Sequence, residues 1–521
     1  MNAGGRGVRV SMVGRVAPWA RRHRWFLGVL ALGTALRVVT MLGYRPALWF
    51  PDSYSYVVTA MRPKPDLVRP AGYSMFLRLF EPLHGFGFVT LAQHLLGLLT
   101  GVMIYLAVVR RRRPRWVGAL ASAPVLLDAY QIQLEHLLVS DSLFTFLIVA
   151  AVCLTLRPLT WRTALATGLL LAAATLTRTV ALPLIAAFGI LLLWFGSRAA
   201  RAGNGTAGGT AGGAVDGGTG TGTGRASGRV RRGRMPWRVT GVFLAAALVP
   251  VAAYGGWFWA AHHRVGLIGA NGVFLYARTM SFADCAVMRP PADLAVLCDD
   301  RPPARRPPSQ EYIWDPDAPL VRLPGITFLR ETDALAGRFA WLAIRSQPLD
   351  YVATTLDELA RSFAWGRPVY PDAETYGYYE FPADTPDPPG RHPAIVGTRF
   401  AEQYERGPIG TRVVEPYAGV MRAYQSVAFL PGVLLLPVLL FPPLVAVARF
   451  AVRRLAPSKG TGAGSRRAQA WRAAWAVPWA VAGLLLLIPA ATAEFDYRYV
   501  LPATPLACLA AALMVRPRSR R

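Results

Sequence analysis

Ten apolar stretches divide this chain, at roughly residues 25–44, 87–109, 116–130, 142–156, 163–177, 179–196, 237–260, 425–448, 473–492 and 499–515, with Gly-, Pro- and Arg-rich connections between them. That clustering constrains the fold more than any other feature. Crossing about 30 Å of hydrocarbon takes about 20 consecutive apolar residues of helix, and most of the stretches are long enough. A soluble domain would spread its apolar residues along every element, whereas the 53% of hydrophobic residues here are gathered into blocks. The pattern predicts an all-α polytopic membrane protein with about ten transmembrane helices and both termini in the cytoplasm. No A-x-A-like cleavage site follows the first stretch, which is therefore expected to stay as a span.

The formal net charge of +28 sits at helix ends. Arg21, Arg22 and Arg24 precede the first span, and Arg110 to Arg113 with Arg115 follow the second. Arg157 and Arg162 lie between the fourth and fifth, and Arg229, Arg231, Arg232, Arg234 and Arg238 precede the seventh. Arg453, Arg454, Arg466, Arg467 and Arg472 lie between the eighth and ninth, and Arg516, Arg518, Arg520 and Arg521 end the chain. Alternate connections are basic, the arrangement of cytoplasmic loops under the positive-inside rule. The same distribution argues against nucleic acid as a partner, since no recognition module accompanies the arginines.

The expected organisation follows. Residues 1–24 form a basic cytoplasmic N-terminus, and residues 25–196 an N-terminal membrane region whose first outward loop covers 45–86. Residues 197–236 form a Gly-rich cytoplasmic linker, which is no phosphate loop because no G-K-[ST] follows its glycines. A span at 237–260 leads to an extracytoplasmic loop domain at 261–424, then to C-terminal spans at 425–515 and a basic tail at 516–521. Within the large loop, 328–346 and 348–365 place Leu, Phe, Trp and Tyr at helical spacing. They read equally as amphipathic helices on the outer interface or as core helices of a small outer domain. Cys285 and Cys298 lie close together in that loop, on the disulfide-permissive side, and a bridge closing so short a loop stabilises by roughly 3 kcal/mol. Cys153 and Cys508 fall in spans as small apolar residues, and no C-x-x-C or H-x-x-x-H spacing marks a metal site.

Ionised groups in hydrocarbon cost several kcal/mol unless paired or hydrated, so their positions are informative. Arg37 lies inside the first span, Asp128 ends the third, and Glu135, His136 and Asp141 fill the break before the fourth. Arg178 sits between the fifth and sixth spans, and Glu494, Asp496 and Arg498 between the ninth and tenth. All gather at the outward face, which predicts a polar cavity opening outward under the large loop. Taken singly, Asp52 and Asp141 also read as helix N-caps, and Arg178 and Arg498 as snorkelling side chains.

Several stretches occur in an order that resembles the GT-C class of membrane glycosyltransferases, the lipid-carrier-dependent group that includes protein O-mannosyltransferases and aminoarabinose transferases. Arg37 in the first span precedes Pro51-Asp52-Ser53-Tyr54-Ser55-Tyr56, and Arg69-Pro70-Ala71-Gly72-Tyr73 is similar to the family's R-P-P-G-Y. Ser140-Asp141-Ser142-Leu143-Phe144 is similar to its S-E-x-L-F, Leu176-Thr177-Arg178 to its L-T-R-P, and Arg498-Tyr499-Val500-Leu501-Pro502 to its closing R-Y-x-L-P. The large loop matches through Arg345-Ser346-Gln347-Pro348 and Tyr351. Ser53 stands where the family often carries a second acidic residue, Asp141 where glutamate is commoner, and Thr179 where proline is usual.

The resemblance implies a glycosyltransferase that moves a sugar from a polyprenyl-phosphate carrier to a hydroxyl of a cell-envelope acceptor, on the outer face of the cytoplasmic membrane. Such chemistry needs a carboxylate near the acceptor and cations near the departing phosphate. Asp52 is the expected catalytic carboxylate. Arg69 and Arg498, then Arg178, Arg62 and Lys64, are the expected phosphate ligands, and Asp141, Glu135, His136, Glu494 and Tyr54 are further candidates. The donor lipid is the only expected cofactor-like molecule, and a divalent metal is left open. A transporter or flippase for a lipid-linked or anionic solute, and a scaffold that binds cell-wall polymer, are the competing readings. Reporter fusions or cysteine accessibility are expected to place residue 215 in the cytoplasm and residue 300 outside; the same side for both would refute this topology.

Overall fold

The computed structural model describes residues 12–204, 236–386, 392–455 and 474–517. Most of the Gly-rich linker, the arginines at 229–234 and 466–472, and the last four residues lie outside that set. The molecule is a helical, membrane-embedded protein, and helices occur at all ten places where the hydropathy predicts them. Five are long and apolar enough to cross a membrane by themselves: Pro18–Gly43, Phe86–Arg110, Trp237–His262, Gly432–Val452 and Tyr497–Met514.

The elements used below are α1 (Met12–Gly43), α2 (Pro51–Met61), α3 (Gly72–Arg78), α4 (Phe86–Arg110), α5 (Arg115–Leu127) and α6 (Ala129–His136). They continue with α7 (Asp141–Thr155), α8 (Trp161–Thr177), α9 (Leu182–Asn204), α10 (Pro236–His262) and α11 (Asn271–Thr279). Later helices are named by their residues.

Three helix boundaries differ from the hydropathy, each for a local reason. The third apolar stretch ends at Leu127 because Asp128 caps a new helix, accepting from the amides of Tyr130 (2.9 Å) and Gln131 (3.1 Å). Its second oxygen accepts from Leu430 N at 2.8 Å. Asp128 is thus a structural cap, and the eighth apolar stretch becomes helical only from Gly432, past Pro431. The tenth is interrupted at 501–503 around Pro502.

The main apolar core joins α4, α5, α7, α8, α9 and α10 to the C-terminal helices through residues such as Ile104, Phe144, Leu171, Phe188, Phe243, Leu485 and Leu509. Small residues permit the closest approaches. A Cβ on Gly168 of α8 would lie 2.5 Å from Phe243 O of α10.

Basic residues mark one end of the bundle. Arg113 donates to Val515 O, Arg111 to Leu156 O, and Arg449 to Met514 O (3.0 Å). The end of α4 therefore meets the ends of α7 and of the Gly432–Leu455 and Thr504–Met514 helices. The opposite end carries a cap with its own core of Val273, Tyr276, Phe282, Leu294, Tyr312 and Phe339. Cys285 and Cys298 are disulfide-bonded in this cap.

The two amphipathic segments of the cap behave differently. Helix Arg330–Ser346 buries Ala336, Phe339, Ala340 and Ala343 in the cap core. Helix Pro348–Arg361 has the reverse polarity, burying Thr355 and Glu358 while Leu349, Val352 and Leu356 are exposed. It packs on Ala476–Thr492, where Tyr351 Oη donates to Ala491 O at 3.0 Å.

A buried polar cluster ties α1, α4, α5 and α6 together. All five N–H donors of Arg37 are used: Nε and Nη2 bind Glu135 (2.7 and 2.8 Å), and the rest bind the carbonyls of Gly33, Val125 and Leu126 (2.9–3.0 Å). Glu135 also binds His94 (3.1 Å) and Gln131 (3.0 Å). His94 continues to His136 (3.0 Å), whose Nε2 reaches Tyr44 O (2.6 Å). Removing one charge of a buried pair leaves the other unpaired. Glu135→Leu or Arg37→Leu alone is therefore expected to destabilise by about 3–5 kcal/mol, and the double substitution by clearly less than the sum. Unfolding of the purified variants reads this, and simple additivity would refute the coupling.

Candidate active site

The chain leaving α1 is fixed before it reaches Asp52. Tyr44–Arg45 pairs antiparallel with Arg412–Val413. Leu48 then exchanges backbone bonds with His136 and Leu138, at 3.1 Å each. Helix α2 starts at Pro51, an N1 proline, and Phe50 N donates to Ser53 Oγ at 3.0 Å. No side chain caps α2, so the Asp52 carboxylate is not used as an N-cap.

Both Asp52 oxygens instead bind arginines. Arg69 Nη2 donates to Oδ1, and Arg498 Nη1 donates to Oδ2 at 3.1 Å. The pull of burial toward the neutral acid is outweighed by the two guanidiniums, which hold Asp52 far below the usual carboxylate range. Arg69 is aimed by a turn in which Asp66 Oδ1 accepts from Val68 N (2.8 Å) and Arg69 N (2.9 Å). Asp66 has a turn-forming role and no other evident one.

The next residues explain the Arg-Pro-Ala-Gly-Tyr stretch. A Cβ on Gly72 would lie 2.3 Å from Leu176 O, so only glycine lets α3 rest on the end of α8. Tyr73 Oη donates to Gln93 Oε1 at 2.7 Å, deep in the bundle. The close approach of Gly72 to Leu176 places Arg178, just past α8, beside the same site. Arg178 binds Asp141 Oδ1, and its guanidinium lies over Tyr499, 5.1 Å from the ring centroid. Arg498 lies 5.5 Å from the same ring and 4.6 Å from Phe50, with Nε 2.9 Å from Asp496 Oδ2. Asp496 caps the Tyr497–Val500 turn and accepts from Tyr379 Oη at 2.7 Å.

These groups line a cavity of about 670 Å³ beneath the cap. Asp52, Arg69, Arg178, Glu494, Asp496 and Arg498 supply much of its charged wall, and Val180, Leu182, Pro183, Leu485 and Ile488 an apolar wall. Asp141 is fully buried and contacts Arg178 without lining the cavity. Five of the residues expected at the site, Asp52, Arg69, Arg178, Arg498 and Glu494, thus line one cavity.

The remaining candidates lie elsewhere. Glu135 and His136 belong to the Arg37 cluster. Tyr54 is buried, stacked on Trp49 with its centroid 5.0 Å away and packed against Gly397. Arg62 lies over Phe400, 4.7 Å from the centroid, and Lys64 is exposed. None of these five lines the cavity. Phe50, Tyr499, Asp496, Gln310 and Arg278 line it and were not singled out as site residues. Among the described residues, no three His, Cys, Asp or Glu side chains stand together as metal ligands.

Comparison with protein-family models, with curated proteins and with solved structures finds no match to this chain.

Glu494 latches the cap to the bundle. Its oxygens accept from the amides of Ser309 (3.1 Å) and Gln310 (3.3 Å), and Tyr370 Oη bridges it (3.3 Å) to Glu358 (2.8 Å). Burial pushes the Glu494 carboxyl up to about 7. Because its folded pKa is raised, the folded state retains a proton that the unfolded state loses as pH rises past about 4.5. The stability from this group is complete below that pH and declines until about pH 7. Asp52, with a lowered folded pKa, acts in the opposite sense and only at acid pH. The melting temperature is thus expected to fall between pH 5 and 7 through a component that Glu494→Gln removes. Equal slopes in both proteins would contradict it.

Proposed function

We propose that the protein is a glycosyltransferase of the GT-C kind. It crosses the cytoplasmic membrane ten times and moves a sugar from a polyprenyl-phosphate carrier to a hydroxyl acceptor on the extracytoplasmic side. The observation that carries this reading is the Asp52 clamp, a carboxylate with a guanidinium on each oxygen, set in a cavity that also has an apolar wall. The cavity lies at the end of the bundle away from the basic pole, and by the positive-inside rule that end faces outward. The disulfide of the cap fits an oxidising compartment. The exposed face Leu349, Val352 and Leu356, beside the end of Ala476–Thr492, suits the lipid interface.

The acceptor oxygen attacks the anomeric carbon, the bond from that carbon to the phosphate oxygen breaks, and the polyprenyl phosphate leaves with the electron pair. Arg69, Arg178 and Arg498 offset the charge that develops on the phosphate, with donors whose planar geometry suits oxyanions. The apolar wall from Val180 to Pro183 and at Leu485 and Ile488 receives the first isoprene units. Asp52 takes the acceptor proton late, as the bond to the sugar forms.

In the clamp Asp52 is a poor base, because both arginines favour its ionised form. A donor phosphate competes for the same guanidiniums. Sharing Arg69 and Arg498 with the phosphate weakens their hold on Asp52 and returns basicity to it only when the donor is present. The base is thereby coupled to substrate occupancy.

Asp52→Asn is expected to lower sugar transfer by about 10²- to 10⁴-fold, the usual loss of a general base, in an assay with a polyprenyl-phosphate sugar. Donor affinity should hold or rise, since Arg69 then lacks its carboxylate and Arg498 keeps only that of Asp496. Near-normal turnover of the folded variant would overturn the assignment. Movement of labelled lipid between leaflets without sugar transfer would overturn the enzyme in favour of a transporter.

A further inference from the structure

The arginines of the clamp region are all matched by carboxylates. Arg69 faces Asp52, Arg178 faces Asp141, and Arg498 faces both Asp52 and Asp496. One more guanidinium lines the cavity and is held differently. Arg278, near the end of α11 on the cap side, is only 1% exposed. Its Nε donates to Ala490 O at 3.1 Å and its Nη1 to Ser281 Oγ at 2.7 Å. Its Nη2 is buried and has no hydrogen-bond partner.

Arg37 is equally buried and uses every N–H it has, as burial of a guanidinium requires. Arg278 keeps both Nη2 hydrogens and one on Nη1 unspent, on the wall of a cavity. A buried donor without an acceptor costs about 1–3 kcal/mol, more for a charged group, and an oxyanion that reaches the guanidinium from the cavity would offset that cost. We infer that Arg278 forms a second anion-binding subsite on the cap wall, which takes a phosphate or carboxylate group carried by a substrate, apart from the subsite of Arg69, Arg178 and Arg498.

The surroundings tune this subsite without filling it. Burial lowers the pKa of Arg278 from its ordinary value, and Glu358, Tyr351, Tyr370 and Glu494 oppose that only in part; among the described residues none forms an ion pair with it. Burial, which raises the Glu494 carboxyl to about 7, favours its neutral form and so reduces the negative charge an incoming anion would meet. Asn271 and Gln310 line the same side of the cavity. Given the proposed lipid-phosphate donor, the anion has two possible sources. It belongs either to the acceptor, as an acidic sugar or a phosphorylated glycan, or to the donor as a second phosphate.

The test measures binding alone, with full-length protein in phosphatidylcholine nanodiscs. The protein is saturated with farnesyl phosphate, and binding of radiolabelled inorganic phosphate is then measured for wild type, Arg278→Met and Arg278→Lys. Wild type should bind one phosphate beside the lipid. Arg278→Met should weaken that binding by about tenfold or more, Arg278→Lys by less, and farnesyl phosphate itself should bind all three proteins within about twofold. If Arg278→Met does not fold, the lysine variant carries the comparison. Farnesyl diphosphate identifies the source. Binding about tenfold tighter than the monophosphate, lost in the variants, assigns the subsite to a second donor phosphate. Equal binding, with inorganic phosphate accommodated beside either lipid, assigns it to the acceptor. The subsite is refuted if wild type neither binds phosphate beside farnesyl phosphate nor prefers the diphosphate. It is refuted equally if Arg278→Met or Arg278→Lys weakens farnesyl phosphate and phosphate together. No readout involves sugar transfer, so failure of the enzymatic reading and failure of this subsite are separate results.

Discussion

A charge inside a helical bundle survives only when its hydrogen-bonding capacity is met, and Arg37 with Glu135 meets that condition at the centre of this one. The pair does more than neutralise itself. Through His94 and His136 the cluster reaches Tyr44 O, the first backbone group beyond α1, and so fixes the height at which the chain leaves the bundle. Eight residues later that chain presents Asp52. The position of the candidate carboxylate is therefore set from below by buried polar contacts, with α1 as the rigid arm between them.

Above that arm the charges balance locally. Three arginines from distant parts of the chain meet three aspartates, so the pocket can form without an anion in it. Balance of this kind limits affinity as well as allowing folding, because an entering phosphate has to displace carboxylate contacts already made. Two of the guanidiniums, those of Arg178 and Arg498, lie 5.1 and 5.5 Å from the centroid of the Tyr499 ring, which adds a cation–π contribution of about 1 kcal/mol.

Much of the architecture was legible in the sequence, for a physical reason: hydrocarbon tolerates only apolar, internally bonded segments, so each helix announces itself. The boundaries were less legible where a single residue overrides the average, as Asp128, Pro431 and Pro502 do. For the site, arginines and aspartates near helix ends were informative, but burial alone did not separate structural from functional ones. Glu135 and His136 occupy the same level as Asp141 and point into a closed cluster, and Tyr54 serves packing. Arg278 escaped notice because its partner Ala490 is more than two hundred residues away. The one available signal was local: a lone arginine directly after the apolar run Val273 to Ala277. A hydropathy profile averages that signal away.

The contact of Gly72 with Leu176 O has a consequence for how such a chain can change over time. With no clearance between them, any enlargement at residue 72 must be met by a backbone shift at 176, and that shift would carry Arg178 away from Tyr499. Two segments about a hundred residues apart are thus tied by volume alone, without a bond. Such a pair can be altered only in concert, so joint retention of the two segments would mark descent where overall similarity has faded.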